Sequence, residues 1–322
     1  MSTLAHLPVL REPSLAAAIR EGLLDSPRRL PPACFYDQVG SALFDAITVL
    51  PEYGLTRADL RLLRSQAGRI AAALPRPLDV IELGSGGGGK ARVVLEALSG
   101  VRTLRYRPVD VSAAALADCQ ERLASLPALE VLPLEATYLD GLEEAATRRR
   151  FGATVLVLFL GSNLGNFHRP EAHEFLREVR GRLRPGDALL ASVDLEKEEE
   201  RLLAAYDDAS GVTAAFNRNA LAHLNRELDA DFDVAAYQHR AVYDTVLRRV
   251  EMHLVPTTDE TVRVKALGLK LRIDAGDGIW TESSYKFRTG ELASMGEAAG
   301  FQCALEATDR EWPFSLNLLV AQ

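Results

Sequence analysis

Asp79-Val80-Ile81-Glu82-Leu83-Gly84-Ser85-Gly86-Gly87-Gly88-Gly89-Lys90 decides the fold. A short apolar run, read as a buried parallel strand, ends in a glycine-dense loop. Lys90-Ala91-Arg92-Val93-Val94-Leu95-Glu96-Ala97-Leu98 then repeats its apolar positions at helical spacing. Strand, loop and helix in that order make the first turn of a nucleotide-binding α/β domain. Glycine serves there because a Cβ would hold the backbone away from a ligand, and the helix behind it offers unpaired N–H groups to polar atoms. A plain flexible turn is the bland alternative, but five glycines between a strand and a helix are costly to keep without a ligand.

Outward from the loop, Glu82 stands two residues before the first glycine, and this E-x-G-x-G form resembles the first motif of class I methyltransferases. Leu104-Arg105-Tyr106-Arg107-Pro108-Val109-Asp110 is a second strand ending in a carboxylate suited to accept hydrogen bonds from both ribose hydroxyls. A nicotinamide-dependent dehydrogenase and a methyltransferase both want that acid. Further strands are expected at 129–134, 153–160 and 188–194, the last entered through Pro185-Gly186-Asp187. Such alternation implies a parallel sheet with right-handed crossovers and ligands at the carboxyl ends of its strands. A helix over 289–299 stops at Gly300, and the apolar stretches 301–307 and 314–321 follow so closely that they must pair antiparallel. A parallel sheet closed by an antiparallel hairpin favours a methyltransferase over a dehydrogenase.

The chain has 322 residues, 48% of them hydrophobic and 25% charged, enough to bury a substantial core in one large or two moderate domains. A formal charge of -8 argues against nucleic acid as a partner, and Arg148-Arg149-Arg150 reads as a solvated helix end. Cys34, Cys119 and Cys303 are isolated, which fits a reducing compartment and offers no zinc spacing. The six histidines show no ligand spacing either, so no metal is expected. Residues 1–13 lack the charged and apolar regions of a signal peptide, and no apolar run is long enough to span a membrane. A cytoplasmic monomer with no membrane contact is the expectation.

Upstream of the loop, residues 14–24 are helical in pattern, Phe35 to Asp45 show no clean periodicity, and Leu50-Pro51-Glu52-Tyr53-Gly54 is a turn. Thr56 opens a helix, with Asp59 three residues on as a weaker form of the capping box. That helix turns Leu60, Leu63, Ala67, Ile70 and Leu74 inward. Between Glu196 and Tyr285 the rhythm changes. Two helical stretches, 196–208 and 212–226, give way to alternation of period two at Val250, Met252, Leu254 and at Leu269, Leu271, Ile273, the mark of half-buried antiparallel strands. The fold expected is a class I, Rossmann-like α/β sheet with a C-terminal antiparallel hairpin, plus an inserted α+β domain. The cofactor domain would take residues 56–196 and 286–322, and a substrate domain 1–55 and 197–285.

Several strings are more specific than any generic fold requires. Phe35-Tyr36-Asp37, Leu50-Pro51-Glu52-Tyr53, Phe159-Leu160-Gly161-Ser162-Asn163-Leu164-Gly165-Asn166-Phe167, Ala205-Tyr206-Asp207-Asp208-Ala209-Ser210-Gly211-Val212-Thr213-Ala214-Ala215-Phe216-Asn217-Arg218-Asn219 and Lys286-Phe287-Arg288 are similar to the histidine Nα-methyltransferases of the ergothioneine pathway. The similarity runs from about residue 30 to the C-terminus. It implies three successive methyl transfers from S-adenosylmethionine to the α-amine of L-histidine, yielding hercynine. Carried over by position, the cofactor would be held by Tyr36, Gly84, Gly86, Lys90, Asp110, Thr137 and Tyr138. The amine and carboxylate would meet Tyr53, Gly161, Asn163, Asn166 and Tyr206, with Tyr53 and Asn166 nearest the chemistry, and the imidazole would meet Met252, Glu282 and Ser284.

The bland readings stand beside these. Tyr53 after a proline turn also reads as a packing aromatic, Asn166 as a cap for the helix near Pro170, Tyr206 as a half-exposed helix face, Glu282 and Ser284 as one polar face of a strand, and Met252 as core. The chain departs from the family pattern at Gly87-Gly88-Gly89, where hydroxyl and acidic residues are usual. Thr137 replaces an aspartate, Gly54 a second tyrosine, and Asn163 a threonine or serine. A related amino acid or amine as substrate, a noncatalytic adenosylmethionine-binding protein, and a nicotinamide-dependent oxidoreductase are the rivals.

Overall fold

The computed structural model describes residues 15–75, 77–98 and 104–322. Residues 1–13, read above for a targeting signal, and Ser14, the expected start of the first helix, lie outside the described residues. Three helices come first, α1 (Leu15–Leu24), α2 (Gln38–Val49) and α3 (Leu55–Ala73). Strands and helices then alternate as β1 (Leu78–Leu83), α4 (Gly89–Leu98), β2 (Leu104–Asp110), α5 (Ala113–Leu123), β3 (Leu129–Val131), β4 (Leu134–Glu135), α6 (Tyr138–Thr147), β5 (Thr154–Phe159), α7 (Arg169–Gly181) and β6 (Ala188–Asp194). After α8 (Glu199–Tyr206) and α9 (Val212–Glu227) come β7 (Tyr237–Asp244), β8 (Arg249–Pro256), β9 (Glu260–Val264), β10 (Leu269–Ile273) and β11 (Ile279–Tyr285). The chain closes with α10 (Glu291–Ala298), β12 (Phe301–Asp309) and β13 (Phe314–Ala321).

Two compact units result. One takes residues 45–206, 243–250 and 283–322; the other takes the described residues up to Phe44 together with 207–242 and 251–282.

The larger unit holds an eight-stranded sheet of order β12-β13-β6-β5-β1-β2-β3, with β4 beside β2. Strands β3, β2, β1, β5 and β6 run parallel, whereas β13 pairs antiparallel with β6 and β12 antiparallel with β13. This is the class I arrangement expected from the sequence. The chain steps outward from β1 through β2 to β3 and then returns to lay β5 on the other side of β1, so the strand order reverses between β1 and β5. Ligands of open α/β sheets bind at such a reversal, outside the carboxyl ends of the strands. β1 and β6 are buried along their whole length, which is why both read as nearly unbroken apolar runs. Ile81, Leu83, Val157, Phe159, Leu189 and Val193 pack with Phe175, Leu176 and Val179 of α7 in the core.

Some expectations need correction. The single strand expected over 129–134 is two short ones, because the intervening Pro133 has no N–H to give a ladder. Phe35 to Asp45, read as aperiodic, contains most of α2; among its twelve residues only Gly40 and Ile47 are buried, too few to print a period. Asp59 does not cap α3. The N-cap is Gly54, with no side-chain bond, and Asp59 is fully buried instead. Leu62 joins Leu63 and Ile70 on the buried face of α3, while Leu60 and Ala67 are half-buried.

In the smaller unit, β9 and β10 form an antiparallel pair with Leu269, Leu271 and Ile273 turned inward, as their alternation predicts. A three-stranded sheet, most but not all of whose residues belong to this unit, has the order β11-β8-β7, and β8 buries Val250, Met252, Leu254 and Pro256 in strict alternation. The string that begins at Tyr206 has structural reasons along α9. The Asp208 carboxylate accepts from the backbone N–H groups of Val212 and Thr213 at 3.0 and 2.7 Å and so caps the helix. Asn217, fully buried, accepts from the Thr281 hydroxyl at 2.7 Å and donates to the His253 carbonyl at 3.1 Å, and Asn219 donates to Asp37 at 2.7 Å. Phe216 stacks on Phe35, ring centroids 4.6 Å apart. No helix among the described residues is long and apolar enough to cross a membrane.

Candidate functional site

Gly84 is the pivot of the glycine loop. Its φ of +71° lies where L side chains are strained, and a Cβ there would stand 3.2 Å from Asn163 Nδ2 and from the Tyr138 ring and hydroxyl. Gly84, Tyr138 and Asn163, three expected site residues from the glycine loop, the start of α6 and the turn after β5, therefore meet at the carboxyl ends of β1 and β5. The loop is bound to the next strand as well: the Gly84 and Ser85 N–H groups donate to the Val109 carbonyl at 2.9 and 3.2 Å. Asp110 accepts from the Gly86 N–H at 3.0 Å through Oδ2 and from the Ser112 N–H at 3.0 Å through Oδ1. Ser112 in turn caps α5 by accepting from the Ala115 N–H at 3.2 Å. The acid read from the sequence as a ribose acceptor is thus also the clamp on the loop.

Farther along the loop, a Cβ at Gly88 would lie 2.6 Å from the Cys119 sulfur of α5. At Gly88 the departure from the family pattern has a local cause, since Cys119 packs where a larger residue would have to sit; nothing in the structure explains the glycines at 87 and 89.

Lys90, at the start of α4, reaches across to the turn after β5. A Cβ on Gly161 would be 2.2 Å from Lys90 Nζ, and the same ammonium lies 3.7 Å from Asp59. The Gly161 N–H donates to Asp59 at 2.8 Å and to the Ser192 hydroxyl oxygen at 2.9 Å. Burial pushes the Asp59 carboxyl up, opposed by the Lys90 charge and by hydrogen bonds from Ser192 and Gly161. Glu82 behaves alike: burial pushes it up to about 8 against a hydrogen bond from Tyr106 and the charge of Lys90. Lys90 is left as the positive group of this end.

Asn163 and Asn166 open and close a 3-10 turn, Asn163–Asn166, whose N-cap Ser162 is left-handed with φ +63°. Asn166 is exposed and does not cap α7; the N-cap is His168, whose N–H donates to Glu171 at 2.9 Å. The Ser162 hydroxyl accepts from the Asp194 N–H at 2.9 Å, tying this turn to the end of β6. Thr137 caps α6 without a side-chain bond to its backbone, and its hydroxyl donates to Asp140 at 2.9 Å.

A second cluster gathers round Tyr206. Its hydroxyl lies 2.7 Å from the Ser284 hydroxyl, and Lys286 Nζ donates to both oxygens at 2.8 Å. The Tyr53 ring meets Tyr206 edge-on, with centroids 6.3 Å apart. Tyr206, predicted on a half-exposed face, is buried, as are Tyr53 and Ser284. Lys286 is fully buried, and nothing near it in sequence marks it as polar machinery.

Three expected residues belong to the smaller unit. Tyr36 packs edge-on against Phe44 and Phe216, with centroids 6.1 Å apart in each case. Met252 is buried, and its carbonyl accepts from the Thr281 hydroxyl at 2.9 Å. Glu282 is half-buried, and its carbonyl accepts from the Trp280 indole at 2.8 Å.

The larger unit therefore carries a glycine turn with an acid and a lysine suited to a polar, partly charged cofactor, and a paired tyrosine and serine backed by an ammonium. A family model described as histidine-specific methyltransferase, SAM-dependent, matches residues 15–321. The histidine N-alpha-methyltransferase of Mycobacterium tuberculosis is 42% identical over 315 residues, which are 97% of this chain and 95% of that protein. That of Mycolicibacterium smegmatis is 42% identical over 309 residues, 95% of each. The ergothioneine biosynthesis protein 1 of Neurospora crassa is 31% identical over 291 residues, 88% of this chain and 32% of that longer protein.

Proposed function

The chain belongs to the family of histidine-specific, S-adenosylmethionine-dependent methyltransferases, and from that membership we propose that it trimethylates the α-amine of L-histidine to hercynine for ergothioneine biosynthesis. The observation that carries this reading is identity of 42% along 97% of the chain to a histidine N-alpha-methyltransferase.

The residues at the loop fit the cofactor. Gly84 leaves open the space a Cβ would take, Asp110 has a carboxylate for the ribose hydroxyls, and Lys90 offers an ammonium to a carboxylate. Tyr36, Gly86, Thr137 and Tyr138 complete the assignment. Because the Thr137 hydroxyl is given to Asp140, Tyr138, which stands against Gly84, is the side chain of that pair best placed to line the cofactor. S-adenosylmethionine, when bound, supplies an electrophilic methyl group on sulfur.

For the substrate, Asn166 and Tyr206 can donate to the carboxylate, with Gly161 and Asn163 beside them, and the Tyr53 hydroxyl can orient the amine. Glu282 is assigned to accept the imidazole N–H, with Ser284 and Met252 against the ring. Methyl transfer to nitrogen needs the amine lone pair free and in line with the sulfonium, so positioning supplies most of the rate.

Titration calorimetry with the Glu282→Ala variant tests the assignment. Loss of one hydrogen bond to a charged group should weaken L-histidine by about ten- to a hundredfold, with S-adenosylhomocysteine unchanged within about twofold. Equal losses for both ligands would overturn it.

A further inference from the structure

Lys286 follows directly on β11 and has no exposed side-chain surface. Its ammonium has three N–H donors, and three oxygens surround it: Tyr206 Oη at 2.8 Å, Ser284 Oγ at 2.8 Å and Asp194 Oδ2 at 3.0 Å. Asp194 ends β6 and is equally buried. Its other oxygen accepts from Lys197 Nζ at 2.6 Å and from the Trp312 indole N–H at 2.8 Å. Lys197 also has no exposed side chain; it donates to the Leu195 carbonyl at 2.6 Å and lies 4.6 Å above the Trp312 ring. Two lysines thus share one carboxylate, and the buried trio carries a net charge of +1.

A buried charge without a partner is costly, and an arrangement that keeps one implies that an anion completes it. Besides Asp194, the Lys286 ammonium meets the hydroxyls of Tyr206 and Ser284. A hydroxyl that accepts from an ammonium is polarised toward donating its own proton, the sense a carboxylate requires.

We infer that Lys286 is a positioning residue for the anionic end of the substrate: it fixes the Tyr206 hydroxyl as a donor and places behind it a positive charge that the substrate α-carboxylate neutralises. The inference rests on the proposed reading of Tyr206 and deepens it, since it makes an α-carboxylate a requirement for good binding. Ionisation states agree with the geometry. Burial would raise Asp194, but Lys286 and Lys197 outweigh it and hold its carboxyl below the ordinary range. Burial lowers Lys197 to about 8, which leaves it largely charged at neutral pH.

The test compares L-histidine with L-histidinamide, which keeps the ring and amine but lacks the negative charge, by calorimetry on the full chain saturated with S-adenosylhomocysteine. Lys286→Met leaves Asp194 with Lys197 and the Trp312 indole, so no lone charge is created. Wild-type protein is expected to prefer histidine, and Lys286→Met to weaken histidine about tenfold or more while histidinamide and S-adenosylhomocysteine change less than about twofold. Lys286→Gln, which can still hydrogen-bond but carries no charge, is expected to lose the same preference and serves if the methionine variant does not fold. Equal weakening of histidine and histidinamide, or a preference retained in both variants, would overturn the inference. If wild-type protein binds no histidine, the functional reading falls first and this one with it.

Discussion

Replacing Asp110 by alanine is expected to lower affinity for S-adenosylhomocysteine by on the order of a hundredfold, the equivalent of one or two hydrogen bonds to a charged group. The size follows from its double employment. One carboxylate oxygen holds the Gly86 N–H and the other the Ser112 N–H, so the side chain fixes the glycine loop and the start of α5 before any ligand arrives. The same group is assigned to the ribose. Alanine removes the ligand contact and frees the loop together, whereas Asp110→Asn keeps an acceptor and should fall between the two. Equilibrium binding measures the loss, and a thermal melt of the ligand-free protein separates its parts. An alanine variant that binds S-adenosylhomocysteine as tightly as wild type would remove Asp110 from the cofactor site.

Gly54→Ala is expected to lower stability by about 2–3 kcal/mol, although the change adds one methyl group to a residue whose backbone, φ −75° and ψ −15°, suits alanine. The reason is the Trp312 ring. A Cβ at position 54 would stand 2.1 Å from Cε3 and 2.3 Å from Cδ2 of that ring. Trp312 cannot easily withdraw: it is buried, its indole N–H is held by Asp194, and Lys197 and Arg201 lie over its face at 4.6 and 4.5 Å. Gly54 therefore stands where the family resemblance calls for a second tyrosine because Trp312 fills the space such a side chain would need. Denaturant unfolding should show a lower midpoint with an unchanged slope; an unshifted midpoint would mean that the ring yields without loss.

What was legible in the sequence was what is determined locally or by burial on both faces. β1, β2, β6 and β13 appear at the residues read from their apolar runs, and the glycine loop with Asp110 could be placed because strand, loop, helix and acid follow one another in order. β7, whose residues are mostly half-buried, and α2, with two buried positions, carry no such pattern and were not read. Asp59 was misread because the cue for a helix cap is local, whereas the group it actually serves, the Gly161 N–H, is distant in sequence. The polar machinery behind Tyr206 was invisible for the same reason. A lysine after a strand reads as surface until Asp194, from the end of another strand, is seen to bury it. The specific strings, by contrast, named the family correctly, and α9 shows that part of their content, Asp208, Asn217 and Asn219, is there to hold the fold together.

The most direct test of the account is mass spectrometry of the purified protein incubated over time with S-adenosylmethionine and an equimolar mixture of amino acids. The account predicts a species three methyl groups heavier than histidine that grows while the other amino acids remain unchanged. Methylation of a different amino acid would leave the fold and cofactor standing but contradict the assignment of Glu282 and Ser284 to an imidazole, and no methylated product at all would contradict the central claim.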